Sequence, residues 1–344
     1  MPYSVLGELL VVFLLVINSS RIFFLKYGRV DTLAALAPLA VLIAVLQLFA
    51  WYADFFSVLL LGAAVIALCT NIHALSRSAA RLYVDHYSPV FILFSVFVLL
   101  LSLLAGVLIV KYPPVSVKAS EFGVIETKTR LTGSFAGGFS DVGYTDRTDA
   151  LLYTYAPADG NSPGPVVLVG CDKRGDAAAY RPYMILLASK GYTVLACDFS
   201  TKDGKWFSSA GNWRVVRRFV MLLSYFRDKN QFDRQKDFYT FGMLREYKAL
   251  VQIVSAKFGE SRKLFIVSDG MGNTAAADIK KQSAGRIQGL FRLDSVPEYK
   301  TPGFGCLEQT EPILAAYFGL GRDRTLFIPR YLVIKTEAAV KAGK

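Results

Sequence analysis

The stretch KLFIVSDGMGN, Lys263 to Asn273, decides the reading of the second half of this chain. An apolar run ends in a cluster of small residues with Gly270 at its centre, and a helix-like segment, TAAADIKK, follows. Strand, sharp turn and helix in immediate succession are the building unit of a parallel sheet.

The same alternation continues on both sides. Asp149 to Ala156 (DALLYTYA) reads as a strand, Ser162 to Pro165 (SPGP) as a turn and Val166 to Val169 (VVLV) as a short buried strand. Ala177 to Ser189 has helical spacing, and Thr193 to Cys197 (TVLAC) begins a second buried strand, closed by Asp198. A helix from Phe241 to Phe258, then strands at Leu290 to Leu293 and at Tyr331 to Ile334, complete the pattern. The expectation is an α/β domain over 121–344: a mostly parallel sheet with helices on both faces, interrupted by an excursion or lid at about 201–236. Ligands of such sheets sit beyond the carboxyl ends of the strands.

The first third is different. Hydrophobic residues make up 53% of the 344-residue chain, and the excess lies at the front. Val5 to Ile17, Leu33 to Phe49, Phe55 to Cys69 and Val90 to Val110 are apolar, and the last is long enough for a hydrocarbon core of roughly 30 Å. Glu8 interrupts the first and Arg21 closes it. We read a four-helix transmembrane region over 1–111 and a linker with a Pro pair over 112–120. Arg21, Lys26 and Arg29 against Asp31 in the first loop, and Arg77 and Arg81 against Asp85 in the third, place those loops in the cytoplasm. The second loop, both termini and the C-terminal domain are then expected to be extracytoplasmic.

The formal net charge is +12, carried mainly by the C-terminal domain. Beside a bilayer this favours anionic lipid headgroups as partners. No nucleic-acid motif accompanies the charge, and no nucleic-acid partner is expected. Cys69, Cys171, Cys197 and Cys306 have no metal-ligand spacing; Cys69 falls in an apolar span, and the other three read as buried free thiols, with a disulfide among them as the alternative outside the cell. No metal and no cofactor is expected.

Three segments resemble the α/β-hydrolase family, particularly its dienelactone-hydrolase and serine-aminopeptidase-like branches. PVVLVGCDKRG (Pro165 to Gly175) resembles the third strand and the loop that donates an oxyanion-hole amide. YRPYMILLASKGYTVLACDFS (Tyr180 to Ser200) resembles the following helix and fourth strand. LREYKALVQIVSAKFG and KLFIVSDGMGN resemble the next helix, the fifth strand and the nucleophile elbow, whose motif is G-x-S-x-G. Sterics fix the register, because a nucleophile on that turn needs small residues two before and two after it. Gly270 has Ser268 and Gly272 at those places; Ser268 would have Ile266 and Gly270, a partial fit, and Asp269 would have Val267 and Met271. Gly270 thus holds the nucleophile position and has nothing to attack with.

The resemblance implies a general base late in the chain, yet the only histidines are His73 and His86, at the third loop. It implies an acid after a seventh strand, which would place it near Glu337; the eighth strand and the histidine loop have no counterpart, so the last strand is expected to be lacking. The reading is a membrane-anchored pseudoenzyme, an extracytoplasmic binding or scaffolding module for an unknown protein or small-molecule ligand. Gly170, Cys171, Arg174, Ser268, Asp269, Gly270, Met271 and Gly272 are its cleft candidates. Asp172, Lys173, Arg174 and Asp176 read as a solvated charged loop, and Asp198 as structural. Two alternatives stand beside this one. One is an active membrane-bound hydrolase of esters or peptides with a non-standard site. The other is a dinucleotide site through Gly270-x-Gly272-x-x-Ala275, with Asp294 on the ribose. In GNWRVVRRFVMLLSYFRDK, Gly211 to Lys229, apolar residues recur at helical spacing beside Arg214, Arg217 and Arg218, a pattern that fits either a helix packing its apolar face on the sheet or a basic amphipathic helix at anionic lipid.

Overall fold

The structure is a computed structural model and describes residues 3–24, 28, 30–51, 54–83, 86–114, 117–133, 148–172, 177–199, 223–270, 272–283, 285–293 and 324–343. The chain divides into two compact units, Met1–Ser116 and Val117–Lys344.

The first unit contains α1 (Tyr3–Phe24), α2 (Leu36–Trp51), α3 (Phe55–Ala79) and α4 (Pro89–Lys111). All four are long and apolar enough to cross a membrane, α2 when counted from the 3-10 turn that opens at Thr32. Local chemistry sets their starts. Asp54 and Ser57 form a reciprocal capping box at α3, and Ser88 caps α4 ahead of Pro89 at its first turn. Small residues (Ala40, Ala44, Ala63, Ala64, Ala67 and Ala105) are buried between the helices, where they let backbones approach closely. Large apolar side chains point outward instead: Phe49 is 76% exposed and Leu93 69%. That inversion suits lipid as the surrounding solvent.

Polar groups are collected inside the unit. Arg21 Nε lies 3.0 Å from Asp31 Oδ2, and both side chains are fully buried. Arg21 Nη2 donates to Asn71 Oδ1, and the guanidinium carbon lies 5.3 Å from the Phe91 ring centroid. Asn71 Nδ2 donates to Asn18 Oδ1 at 3.3 Å, Asn18 Nδ2 to the Leu33 carbonyl at 2.9 Å, and the Tyr87 hydroxyl to Asp31 Oδ2 at 3.3 Å. The loop arginine of the sequence reading is therefore a buried link between α1, the start of α2, α3 and α4.

The second unit is built on an open six-stranded sheet in the order β1-β2-β4-β3-β5-β6. Its strands are β1 (Val124–Gly133), β2 (Thr148–Pro157), β3 (Val166–Gly170), β4 (Val194–Phe199), β5 (Leu264–Ser268) and β6 (Ile287–Arg292). Strands β4, β3, β5 and β6 are parallel neighbours, while β2 pairs antiparallel with both β4 and β1. Every residue of β3 and of β5 is buried, as continuous apolar runs in a doubly covered sheet require. The helices are α5 (Arg181–Ala188), α6 (Lys229–Phe258), α7 (Gly272–Gln282) and α8 (Phe327–Ala342). Alternate residues of β5 serve opposite cores. Phe265 and Val267 join the α5 and α8 side, and Leu264 and Ile266 the α6 and α7 side.

Three expectations change. Tyr331 to Ile334 is not a strand but lies inside α8. The buried positions Ile328, Leu332, Val333, Thr336 and Val340 recur at helical spacing, and the apolar run YLVI is too short a window to show it. Helix α6 begins at Lys229, so residues 229–236 of the expected excursion are helical; 200–222 lie outside the described residues. Strand β1 was not anticipated, because Glu126, Thr127, Lys128, Thr129 and Arg130 hide its pattern. It is an edge strand, where polar residues are tolerated.

An ion pair fastens the start of this unit. Arg181 Nη2 and Nε donate to Glu126 Oε2 at 2.7 and 3.1 Å, Arg181 Nη1 donates to the Val117 carbonyl, and the Tyr155 hydroxyl reaches Glu126 Oε1 at 3.2 Å. The bond from Arg181 holds the Glu126 carboxyl below its usual range.

Candidate functional site

The carboxyl ends of β3 and β5 meet side by side, with Gly170 in register with Ser268. The Asp269 amide donates to the Gly170 carbonyl at 3.1 Å. The chain then reverses through Gly270, whose φ of +50° is the left-handed conformation that side chains resist. The Gly272 and Asn273 amides close the turn onto the Asp269 and Gly270 carbonyls at 3.0 and 3.2 Å, and α7 begins. This is the strand-turn-helix elbow expected from the sequence, at the carboxyl edge of a parallel sheet.

The elbow is covered by the protein's own side chains. A Cβ built on Gly270 would stand 1.6 Å from Asp172 Oδ1 and 2.5 Å from its Cγ. The Asp172 carboxyl therefore occupies the space where any side chain at position 270 would begin. Expected in a solvated loop, Asp172 is only 3% exposed. Its amide donates to the Tyr180 hydroxyl at 3.0 Å, and that hydroxyl donates to Asp269 Oδ2. Asp269 is 1% exposed, so Tyr180 ties the β3 loop to the elbow from the α5 side.

From the other side comes Tyr247 of α6. A Cβ on Gly170 would lie 1.5 Å from its hydroxyl oxygen, and one on Gly272 3.3 Å from the same atom. Tyr247 thus wedges between the β3 end and the first turn of α7. It is buried, and its hydroxyl has no hydrogen-bond partner among the described residues. Burial pushes its phenol well above the ordinary range. Ser268 Oγ donates to Asn273 Oδ1 at 2.6 Å, and the buried Asn273 Nδ2 has no partner among the described residues.

Structure and sequence agree on some candidates and part on others. Gly170, Cys171, Ser268, Asp269, Gly270 and Gly272 come together; Arg174 and Met271 lie outside the described residues. Cys171 is half-buried, and Cys69, Cys171 and Cys197 form no disulfide among the described residues, while Cys306 is outside the described set. Asp198 accepts the Ala177 amide at 2.6 Å and fastens β4 to the turn before α5. Burial raises its carboxyl and pushes the neighbouring Tyr153 phenol up to about 12. Glu337 does not follow a strand. It sits within α8 and pairs with Lys341 at 2.7 Å, one helical turn away, so it is not placed as a catalytic acid. Asp294, Arg214, Arg217 and Arg218 are outside the described residues. Tyr180, Tyr247 and Asn273 were not singled out by sequence, where nothing distinguishes them from ordinary helix residues.

Residues 4–111 match a family model described as the TP_0976_N N-terminal domain, which accounts for the four-helix unit. No curated protein matches the chain. Solved structures with a similar course include a putative lipase from Sulfolobus solfataricus, at 17% identity over 51% of this chain and 46% of that one, with a TM-score of 0.33. Brefeldin A esterase, a bacterial homologue of human hormone sensitive lipase, matches at 14% identity over 52% and 42%, with a TM-score of 0.29. The structure titled VrEH2 matches at 13% identity over 48% and 38%, with a TM-score of 0.27. The chain spans less than half the length of each of the three. The α/β-hydrolase-like character of the domain rests on its own elements: β3, β4 and β5 in the expected places, and the elbow after β5.

Proposed function

We propose that this is a membrane-anchored protein whose α/β-hydrolase-like domain binds a ligand or partner and performs no acyl transfer. The observation that carries the reading is the Asp172 carboxyl packed over Gly270. A serine there would collide with it, and the glycine present supplies no nucleophile. The two histidines, His73 and His86, belong to the first unit, so the second unit supplies no imidazole base of its own. The same carboxyl counts against the dinucleotide alternative, because it fills the space over the turn by which a pyrophosphate would approach the helix N-terminus.

The test is labelling of the detergent-solubilised protein by a fluorophosphonate probe, alongside an ester-hydrolysis assay. The wild type, Gly270→Ser, and the roomier Gly270→Ser/Asp172→Ala are all expected to remain unlabelled and inactive. Labelling of the wild type would overturn the proposal. Turnover by the double variant would reveal a base that this reading lacks.

The domain is proposed to lie outside the cytoplasm. Support comes from Lys26, Arg29, Arg77 and Arg81 in the first and third loops; Arg21, buried against Asp31, adds no free charge. A reporter active only outside the cytoplasm, fused after Lys344, is expected to be active. Activity of a cytoplasmic reporter at the same place would reverse the topology.

A further inference from the structure

Helix α8 buries Ile328, Leu332, Val333, Thr336 and Val340, and Tyr183 of α5 bonds Thr336 Oγ1 at 2.7 Å. Its other face has a pattern that neither the core nor the site uses. Phe327 is 67% exposed and Ile334 63%. At about 100° per residue, position 334 lies roughly 20° to one side of 327, and 338 roughly 20° to the other. Phe327, Ile334 and the exposed Ala338 therefore form a single ridge, roughly 16 Å long at 1.5 Å per residue. Exposed cations line both sides of it. Arg330 and Lys341 lie about 40–60° away on one flank and Lys335 about 80° away on the other. Lys335 Nζ stands over the Tyr331 ring at 5.5 Å. The one carboxylate on this part of the helix, Glu337, is bonded to Lys341.

We propose that this face of α8 docks on an anionic lipid surface, with Phe327 and Ile334 entering the headgroup boundary and Arg330, Lys335 and Lys341 meeting lipid phosphates. An apolar ridge flanked on both sides by long cations suits an interface, because their stems lie along the apolar zone while the charged ends reach polar headgroups. A protein partner would need matching carboxylates on both flanks of an apolar groove. An anionic bilayer supplies negative charge on every side of the ridge, and four helices of the same chain are built to place it at a membrane. The proposal does not depend on whether the cleft is catalytic, and it concerns residues far in sequence from Arg214, Arg217 and Arg218.

The test is hydroxyl-radical footprinting of the full chain, one copy per lipid nanodisc. Discs of phosphatidylcholine alone are compared with discs containing phosphatidylglycerol. Oxidation of Phe327 and Ile334 is expected to fall at least threefold in the anionic discs. The variant Arg330→Glu/Lys335→Glu/Lys341→Glu is expected to lose that protection, while buried Tyr183 remains unoxidised as the check on folding. Equal protection in neutral discs and in detergent would mean that another segment of the chain covers the ridge. Protection only with two copies per disc would assign it to a self-contact. Full oxidation in all discs would mean that nothing docks there. Any of these three results overturns the proposal.

Discussion

Gly170→Ala is expected to destabilise the C-terminal unit by about 3 kcal/mol, the upper end for overpacking a buried site. The added methyl would lie 1.5 Å from the Tyr247 hydroxyl oxygen, 2.3 Å from its Cζ and 2.8 Å from its Cε1. Rotation cannot relieve this cheaply, because the ring is held among buried residues that include Leu168 and Leu250. Three partner variants separate this cause from a general intolerance of β3. Tyr247→Phe alone is expected to be neutral or stabilising, because the hydroxyl it deletes has no partner among the described residues. Gly170→Ala/Tyr247→Phe should stay destabilised, since the ring carbons still collide. Gly170→Ala/Tyr247→Leu should recover most of the loss. Chemical denaturation of the four proteins in detergent measures the set. A mild effect of Gly170→Ala, or rescue by phenylalanine, would show that Tyr247 is not wedged where the structure places it.

The second large effect belongs to the first unit. Arg21→Met and Asp31→Leu are each expected to cost about 3–5 kcal/mol, because each leaves one buried charge without its counter-charge. The double variant Arg21→Met/Asp31→Leu is expected to lose far less than the sum. An apolar pair replaces the ion pair with no stranded charge, leaving only the Asn71 and Tyr87 bonds unmade. Resistance of the four-helix unit to unfolding in graded sodium dodecyl sulfate reads the cycle. Additive single losses would mean that the two residues are not coupled, contrary to their 3.0 Å contact.

Much of this was legible beforehand for identifiable reasons. Strands β3 and β5 are covered on both faces, so their sequences are uninterrupted apolar runs. The elbow could be placed to the residue, because a left-handed turn between close-packed elements admits only small side chains at fixed offsets. Where the pattern is weaker, reading failed. β1 is an edge strand with polar residues on its open side, and α8 carries a β-branched run inside a helical period.

The cleft was legible in its backbone and not in its side chains. Sequence marked Gly270 as a missing nucleophile, yet treated Asp172 as solvated. Only the fold brings the end of β3 against the β5 turn, and that approach buries the carboxyl over the glycine. Tyr247 is a comparable case, an unremarkable helix residue until α6 crosses Gly170. Arg21 and Asp31 are ten residues apart and were counted as loop charges; the convergence of four helices makes them a buried pair.

By itself the sequence determined the division into four long apolar helices and an α/β domain, the strands at the centre of the sheet and the tight turn at Gly270. These are local or periodic properties, written in the order of residue types. Tertiary structure alone decided what faces the elbow, what neutralises Arg21 and which face of α8 is left outside. Those outcomes depend on residues distant in the chain arriving within a few ångströms of each other, and no local pattern records that.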